Sequence, residues 1–196
     1  GIGKDDEVIV PTLTYIASVN CINYVGAKPI FVGSSENNWP ASIEEIERKI
    51  TKRTKAIICV HLYGFAAPIK EIKKIAKRNN LFLIEDCAEA IGTKINETHV
   101  GNFSDVATFS FYGNKTITTG EGGMVSTNNN FIAKKIYQLK TQGLAPDKEY
   151  WHDIVGYNYR MTNICAAIGH AQLEKVEYIL QRKKFIFEYY SNSLNS

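Results

Sequence analysis

Two side chains of opposite charge, Asp86 and Lys115, follow neighbouring apolar segments of the sequence. Asp86 ends the run "LFLIED", and Lys115 lies in "FSFYGNKTITTGEGG", which changes from apolar residues to small and polar ones. A carboxylate at the end of a buried strand loses hydration, which is unfavourable unless a cation pairs with it. If both segments belong to one parallel sheet, the two side chains can face the same crevice.

This pair of groups is compatible with two kinds of site. A structural ion pair is the simpler one, and the spacing alone favours it. The other is a pyridoxal phosphate site, in which a lysine holds the cofactor's aldehyde as a Schiff base. There the carboxylate keeps the ring nitrogen protonated, so that the ring withdraws electrons. The residues by themselves leave both interpretations open.

Other catalytic motifs are weaker. The segment "YGNKT" lacks the adjacent Gly-Lys and the earlier glycine of a phosphate-binding P-loop, and no GxGxxG follows the first strand. The isolated histidines, His61 among them, are predicted to be structural or on the surface. The four cysteines are far apart, with no CxxC pair and no Cys/His ligand spacing. They predict neither a disulfide framework nor a metal site, and they indicate a reducing compartment.

Apolar strands alternate with amphipathic helices along the chain. The predicted strands are "EVIVP", "KPIFVG", "TKAIICVHLYG", "LFLIEDCAEA", "DVATFSF" and "GGMVSTN". Helices are predicted in "ASIEEIERKI", capped by Ser42 with Glu45 completing a capping box, and in "PIKEIKKIAKRNN" and "NFIAKKIYQLKTQG". Such continuous apolar strands predict an α/β fold with a mostly parallel sheet covered on both faces. In these folds, ligands bind at the carboxyl ends of the strands.

Composition is that of a globular protein with 196 residues, 44% of them hydrophobic and 22% charged. A net charge of +3, without a basic block, argues against nucleic acid as the main partner. No apolar run reaches the ~18 residues of a membrane span, and no signal peptide is visible, so we expect a cytoplasmic protein without membrane association. The opening "GIGKDDEVIVP" has no initiator Met, from which we expect a fragment.

Four long segments resemble one family of enzymes. They are "KDDEVIVPTLTYIAS", "IEDCAEAIG", "VGNFSDVATFSFYGNKTITTGEGGMVST" and "VGYNYRMTNICAAIGHAQLEK". Together they resemble the sugar-nucleotide aminotransferases of the DegT/DnrJ/EryC1/StrS family, and within it the perosamine-synthase-like members. The resemblance runs nearly from end to end. It implies a three-layer α/β/α fold with a mostly parallel seven-stranded sheet, which is the large domain of the aspartate-aminotransferase fold type.

The resemblance also implies roles for individual residues around pyridoxal 5'-phosphate. Lys115 would be the Schiff-base lysine and proton shuttle, and Asp86 would pair with the pyridinium nitrogen. Tyr15 and Ala88 would lie against the two faces of the ring. Glu89 matches a position that often reaches the ring hydroxyl, although many relatives carry Gln there.

Two further residues are implied to reach the cofactor's phosphate. Ser110 would bind the phosphate within its own subunit, and Asn158 would bind that of the neighbouring subunit, which makes a homodimer with shared active sites. Each assignment has a structural alternative: Tyr15 as a core aromatic, Ala88 as packing, Ser110 as a strand-end cap and Asn158 as a turn residue.

The implied function is the transfer of an amino group, from glutamate, to a nucleotide-linked 4-keto-6-deoxy sugar for surface polysaccharide or glycan synthesis. One alternative is a sugar dehydratase on the same fold, which carries His where Lys115 stands. Another is a truncated, non-catalytic remnant that acts as a dimerising module. We expect residues 1–196 to be a fragment of the PLP-binding large domain, without the upstream Gly-Thr phosphate turn and the C-terminal small domain. Residues 162–196 would form a long helix that leads toward that small domain.

Overall fold

A computed structural model of the chain describes residues 1–36 and 39–194. The chain forms two compact units. The first contains residues 1–109 and 125–159, and the second contains residues 110–124 and the segment from 160 onward. Within the described residues, no helix is long and apolar enough to cross a membrane.

Strands and helices alternate as far as residue 86, as predicted, and four strands followed by three helices come after it. The strands are β1 (Glu7–Pro11), β2 (Lys28–Val32), β3 (Thr54–Val60), β4 (Phe82–Asp86), β5 (Lys94–Ile95), β6 (Thr98–His99), β7 (Val106–Ser110) and β8 (Gly123–Ser126). The α-helices are α1 (Ala17–Tyr24), α2 (Ile43–Lys49), α3 (Ile69–Arg78), α4 (Asn130–Lys140), α5 (Asn163–Leu173) and α6 (Val176–Leu194). A short 3₁₀ turn, Leu62–Gly64, follows β3.

The main sheet has the strand order β2-β1-β3-β4-β7-β8, and every pair from β2 to β7 is parallel. In the register, Asp86 lies between Val60 of β3 and Thr108 of β7. The chain leaves β1 toward β2 on one side and continues with β3 on the other, so the order reverses at β1. The predicted α/β class with a mostly parallel sheet is confirmed, with six strands in the main sheet of the described residues.

Both faces of the central strands β1 and β3 are buried, which explains why these strands are continuous apolar runs. Along β1, Ile9 belongs to a core cluster with Ile46 of α2 and Ile72 of α3. Its neighbour Val10 faces the other way, in a cluster with Val19 of α1. Helices therefore cover both faces, and the first unit has the predicted three layers.

The helices on one face begin and end where their sequences indicate. The apolar stripe predicted for α3 is buried, with no member more than 4% exposed: Ile69, Ile72, Ile75 and Ala76. Ser42 caps α2, since its Oγ accepts the N–H of Glu45. The other half of the predicted capping box is not formed. The Glu45 carboxylate accepts the N–H of Gly33 at 2.7 Å, and the N–H of Ser42 donates to the carbonyl of Gly33.

Three features differ from the prediction. Helix α1 and the β5–β6 hairpin were not predicted; the hairpin turn uses Asn96 and Glu97 at positive φ, without the glycine that marks such turns. The long helix predicted from Thr162 is divided into α5 and α6. At the junction the N–H of Lys175 bonds to the carbonyl of Gln172, a tighter i−3 bond that interrupts the α-helical pattern. Positions 195 and 196 of that prediction lie outside the described residues.

Candidate active site

Asp86 is the last residue of β4, and its main chain is held on both sides. Its carbonyl accepts the N–H of His61 at 3.0 Å, and the next N–H, of Cys87, donates to the carbonyl of Thr108 at 2.8 Å. The position of the carboxylate is therefore determined by three adjacent parallel strands. This is the carboxyl edge of the sheet, where the sequence predicts ligand binding.

The carboxylate of Asp86 is half-buried and accepts a hydrogen bond on each oxygen. The Ser18 hydroxyl donates to Oδ2 at 2.7 Å, and the N–H of Ala88 donates to Oδ1 at 3.1 Å. Ser18 lies in the first turn of α1 and is itself hydrogen-bonded to Thr14. Each oxygen retains a lone pair, so the group can accept a further donor.

Tyr15 and Ala88 flank this region of the first unit in different ways. Tyr15 lies in the loop between β1 and α1, and its side chain is 75% exposed, so the alternative that it is a core aromatic is wrong. Ala88 is half-buried, and its main chain is the one that bonds to Asp86. The structure thus brings Asp86, Ala88 and the loop that carries Tyr15 together.

Glu89 follows in the same segment but contacts another loop. Its Oε2 accepts the N–H of Tyr63 at 2.9 Å. Tyr63 has φ 54°, a left-handed conformation that is uncommon for a residue other than glycine. The carboxylate of Glu89 therefore supports the turn after β3.

Asn158 lies elsewhere in the first unit, beside the end of α4. It forms a backbone bridge with Thr141, and its side chain is exposed. No hydrogen bond joins it to Asp86, Ala88 or Tyr15 within the described part of the chain. This is compatible with a role outside its own subunit's site.

Two glycines fix the segment that carries Asn158. Gly143 has φ +78°, and a Cβ there would lie 1.9 Å from the carbonyl oxygen of Ile154. A Cβ on Gly156 would lie 2.2 Å from the backbone nitrogen of Gly143. Real Cβ atoms do not approach backbone atoms so closely. The segment at Gly143 and the segment at Gly156 therefore pack against each other through backbone atoms, which requires glycine at both positions.

The second unit contains Ser110 and Lys115, joined through the backbone of Tyr112. The N–H of Tyr112 donates to the Ser110 hydroxyl at 3.3 Å, and the N–H of Lys115 donates to the carbonyl of Tyr112 at 3.0 Å. Lys115 is half-buried. Downstream, a Cβ on Gly122 would lie 2.5 Å from Oγ1 of Thr119, so the turn after the lysine depends on glycine at this position.

A second polar cluster lies beside Asp86 in the chain. Glu85 is fully buried, and its carboxylate accepts hydrogen bonds from His61 Nε2 and from the backbone N–H groups of Gly101, Phe103 and Ser104. Burial raises the pKa of Glu85, but the hydrogen bonds from His61, Gly101 and Ser104 outweigh it and hold the pKa below its ordinary value.

By distance alone this cluster, together with Cys87, has the geometry of a metal site, because the ligand atoms of His61, Glu85 and Cys87 lie within 4.8 Å of one another. The hydrogen bonds contradict that interpretation. Ala67 donates its N–H to His61 Nδ1, so Nε2 carries the hydrogen and donates to Glu85. Burial raises the pKa of the Cys87 thiol, which disfavours the thiolate that a metal requires. We therefore interpret the cluster as structural.

The whole chain matches one family of known proteins. Residues 1–196 match the DegT/DnrJ/EryC1/StrS aminotransferase family. The chain belongs to this family. The resemblance predicted from the segments around Asp86 and Lys115 is thereby confirmed.

Individual members of the family support the same assignment. GDP-perosamine synthase of Escherichia coli O157:H7 is 58% identical over 196 residues, which is 100% of this chain and 54% of the relative. GDP-perosamine synthase of Vibrio cholerae is 54% identical over 99% of this chain and 53% of the relative. The structure of Spr1654 from Streptococcus pneumoniae in its PLP form is similar at a TM-score of 0.92 and 30% identity, over 100% of this chain and 55% of that one. The chain thus spans about half the length of the family members that it matches.

Among the residues around Asp86, Ser18 was not predicted from the sequence. It lies in the quoted segment "KDDEVIVPTLTYIAS", but α1 was not predicted, so nothing indicated that its hydroxyl would be directed at β4. A small polar residue in the first turn of a helix after the first strand was the available signal. Such residues are common helix caps, and the signal does not distinguish a cap from a partner of Asp86.

Proposed function

We propose that the protein that contains this chain is a pyridoxal 5'-phosphate-dependent aminotransferase. It transfers an amino group from glutamate to the keto carbon, at C4, of a nucleotide-linked 4-keto-6-deoxy sugar. Membership of an aminotransferase family supports the reaction class. Two relatives named GDP-perosamine synthase, at 58% and 54% identity, support a GDP-linked sugar as substrate and surface polysaccharide synthesis as the purpose.

The observation that carries the proposal is the carboxylate of Asp86. It stands at the carboxyl edge of the sheet as an acceptor, with one hydrogen bond on each oxygen and capacity for another. This acceptor fits a cationic N–H donor. The protonated ring nitrogen of the cofactor is such a donor. The PLP form of the structural relative from Streptococcus pneumoniae supports the choice of cofactor.

When bound, pyridoxal phosphate supplies an aldehyde that bonds to amines and a ring that withdraws electrons from the attached carbon. The chain's own residues prepare and direct this chemistry. Asp86 would hold the proton at the ring nitrogen, and Tyr15 and Ala88 would lie against the two faces of the ring. Lys115 would hold the aldehyde through its Nζ and would move the proton that the reaction requires.

The remaining residues anchor the cofactor. Ser110 would donate its hydroxyl hydrogen to the phosphate. Glu89, whose carboxylate accepts the N–H of Tyr63 from a separate loop, would orient the ring hydroxyl. Asn158 acts on the phosphate in the neighbouring subunit of a homodimer, and its exposed side chain supports a role outside its own chain's site. The four cysteines, all unpaired, support a reducing compartment such as the cytoplasm.

The presence of lysine at position 115 disfavours a sugar dehydratase, since the dehydratases on this fold that the sequence resembles carry histidine there. A non-catalytic dimerising remnant differs from an aminotransferase in one measurable property, covalent attachment of the cofactor. Detection of cofactor covalently attached to Lys115 therefore tests the proposal against both alternatives.

The experiment uses the full-length protein with pyridoxal phosphate. Borohydride reduction followed by peptide mapping is expected to place the cofactor on Lys115, and incubation with glutamate and a GDP-linked 4-keto-6-deoxy sugar is expected to yield the amino sugar. Lys115→Ala should remain folded, unlabelled and inactive. A label on an exposed lysine such as Lys94 or Lys140, or no label at all, would overturn the proposal.

A further inference from the structure

Ser18 is a buried hydroxyl between two polar partners. Its side chain lies in the first turn of α1, and the residue is only 5% exposed. Its Oγ is 2.7 Å from Oδ2 of Asp86 and 2.8 Å from Oγ1 of Thr14. Both contacts lie within the first unit, and the Ser18–Asp86 bond joins residues 68 positions apart in the sequence.

The hydrogens in this chain of contacts can be assigned by counting. A serine hydroxyl has one hydrogen, and an ionised carboxylate only accepts. The hydrogen of Ser18 is therefore donated to Asp86, and the hydroxyl of Thr14 must be the donor in its contact with Ser18. The result is a one-way chain from Thr14 through Ser18 to Asp86.

The chain of hydroxyls also determines where the carboxylate points. With Ser18 on Oδ2 and the N–H of Ala88 on Oδ1, both oxygens of Asp86 are restrained from opposite ends. Rotation about the side-chain torsions would break at least one of these bonds. The remaining lone pairs consequently have a fixed direction, which is the condition for pairing with a single N–H donor in a defined geometry.

We propose that Ser18 is a positioning residue of this enzyme. It touches Asp86 and acts through it by holding the carboxylate oriented toward the ring nitrogen of the cofactor. This inference rests on the proposed function, because it assigns to Asp86 the task of pairing with that nitrogen. Thr14 completes the arrangement. Because the Thr14 hydroxyl donates to the oxygen of Ser18, the hydrogen of Ser18 is directed toward Asp86.

The test compares Ser18→Ala, Ser18→Thr and Asp86→Asn in the full-length protein loaded with pyridoxal phosphate. Two properties are measured: turnover, and the pH midpoint of the visible absorption band of the bound cofactor. For Ser18→Ala we expect turnover to fall about tenfold or more, because misplaced catalytic groups cost rates of this order. Its pH midpoint should move in the same direction as in Asp86→Asn and by a smaller amount.

Two variants separate positioning from folding. Ser18→Thr keeps the hydroxyl and should restore both turnover and the pH midpoint. Ser42→Ala removes a hydroxyl that is equally buried, at 5% exposure, and that caps α2 without contacting Asp86. It should lower the melting temperature and leave the absorption midpoint unchanged.

The outcomes are distinguishable. A Ser18→Ala protein whose pH midpoint and turnover match wild type, while those of Asp86→Asn do not, would overturn the inference and leave the proposed function standing. A Ser18→Ala variant that loses activity only in proportion to a lower melting temperature, as Ser42→Ala would, overturns it as well. A wild-type protein without a visible band and without borohydride label on Lys115 would overturn the proposed function and the inference together.

Discussion

The ring nitrogen Nε2 of His61 lies 3.0 Å from Oε1 of Glu85, and neither side chain reaches solvent. Glu85 directly precedes Asp86 on β4, and successive side chains of a strand point to opposite faces. The end of β4 is therefore held by the His61–Glu85 pair from one face and by the bond from Ser18 to Asp86 from the other. Several properties of the protein follow from this double support.

The first prediction concerns the stability of the His61–Glu85 pair. Glu85→Gln replaces one acceptor oxygen with an NH₂ group that faces N–H donors, and because each oxygen accepts at least two hydrogen bonds, at least two donors lose their acceptor. We expect the free energy of unfolding to fall by about 1 to 3 kcal/mol, measured by urea denaturation. Glu71→Gln, on the exposed side of α3, serves as the matched control and should change the midpoint little. Equal midpoints for the two variants would show that Glu85 is dispensable for folding.

The second prediction concerns acid sensitivity. The pKa of Glu85 is lower in the folded protein than in the unfolded chain, where it is about 4.3. At pH values between these two pKa values the unfolded state binds more protons, so the free energy of unfolding falls as the pH is lowered. The contribution of Glu85 is fully present above pH ~4.3 and is lost as the pH falls through the folded-state pKa. The stability gap between wild type and Glu85→Gln should therefore be smaller at low pH than at pH 7. A gap that widens on acidification would contradict the assigned charge.

A third prediction uses Cys21 as a reporter of the charge on Asp86. Partial desolvation of the sulfur, and then the negative charge of Asp86, raise the pKa of the Cys21 thiol, although the residue as a whole is exposed. Asp86→Asn removes that charge and should shift the midpoint of the pH dependence of alkylation to lower pH. The measurement needs no cofactor. A Cys165→Ser background removes the other thiol that is not buried, since Cys59 and Cys87 are both buried. An unchanged midpoint would mean that Asp86 is not ionised in the free protein.

A fourth prediction tests the shared active site. Lys115→Ala is expected to be inactive, and Asn158→Ala is expected to be impaired in holding the partner's cofactor. In a two-fold dimer of one subunit of each kind, one site then has both residues intact and the other has neither. Mixing the two variants, with subunit exchange verified, should raise activity above the mean of the separate homodimers. Activity that never exceeds this mean would show that Asn158 serves its own chain.

Much of the fold could be predicted from the sequence because it depends on hydrophobic periodicity. The stripe of Ile69, Ile72 and Ile75 and the uninterrupted apolar strands leave few arrangements other than buried parallel strands covered by helices. Helix α1 was missed because it buries only three residues, Ser18, Val19 and Ile22, which are too few to form a distinct apolar stripe. The division between α5 and α6 was missed because a single i−3 bond at Lys175 has no distinctive residue pattern.

The candidate site was predictable in part. Asp86 stood out because an acidic residue after an apolar run is rare, whereas Ser18 did not, since serine is ordinary in a first helical turn. The pairing of the Glu89 carboxylate with the N–H of Tyr63 was equally hidden, because it depends on a backbone conformation. Where the role of a side chain depends on tertiary contacts, the local sequence gives little indication of it.

The contact between Gly143 and Gly156 has a consequence for how this protein tolerates change. Where two side chains pack together, a larger residue on one side can be balanced by a smaller one on the other. Here both partners are already the smallest residue, and the limiting distances, 1.9 Å and 2.2 Å, run to backbone atoms. A larger residue at one glycine position cannot be balanced by a smaller residue at the other, because no residue is smaller than glycine. Neither glycine of this loop can therefore accept a side chain unless the backbone beside Asn158 moves.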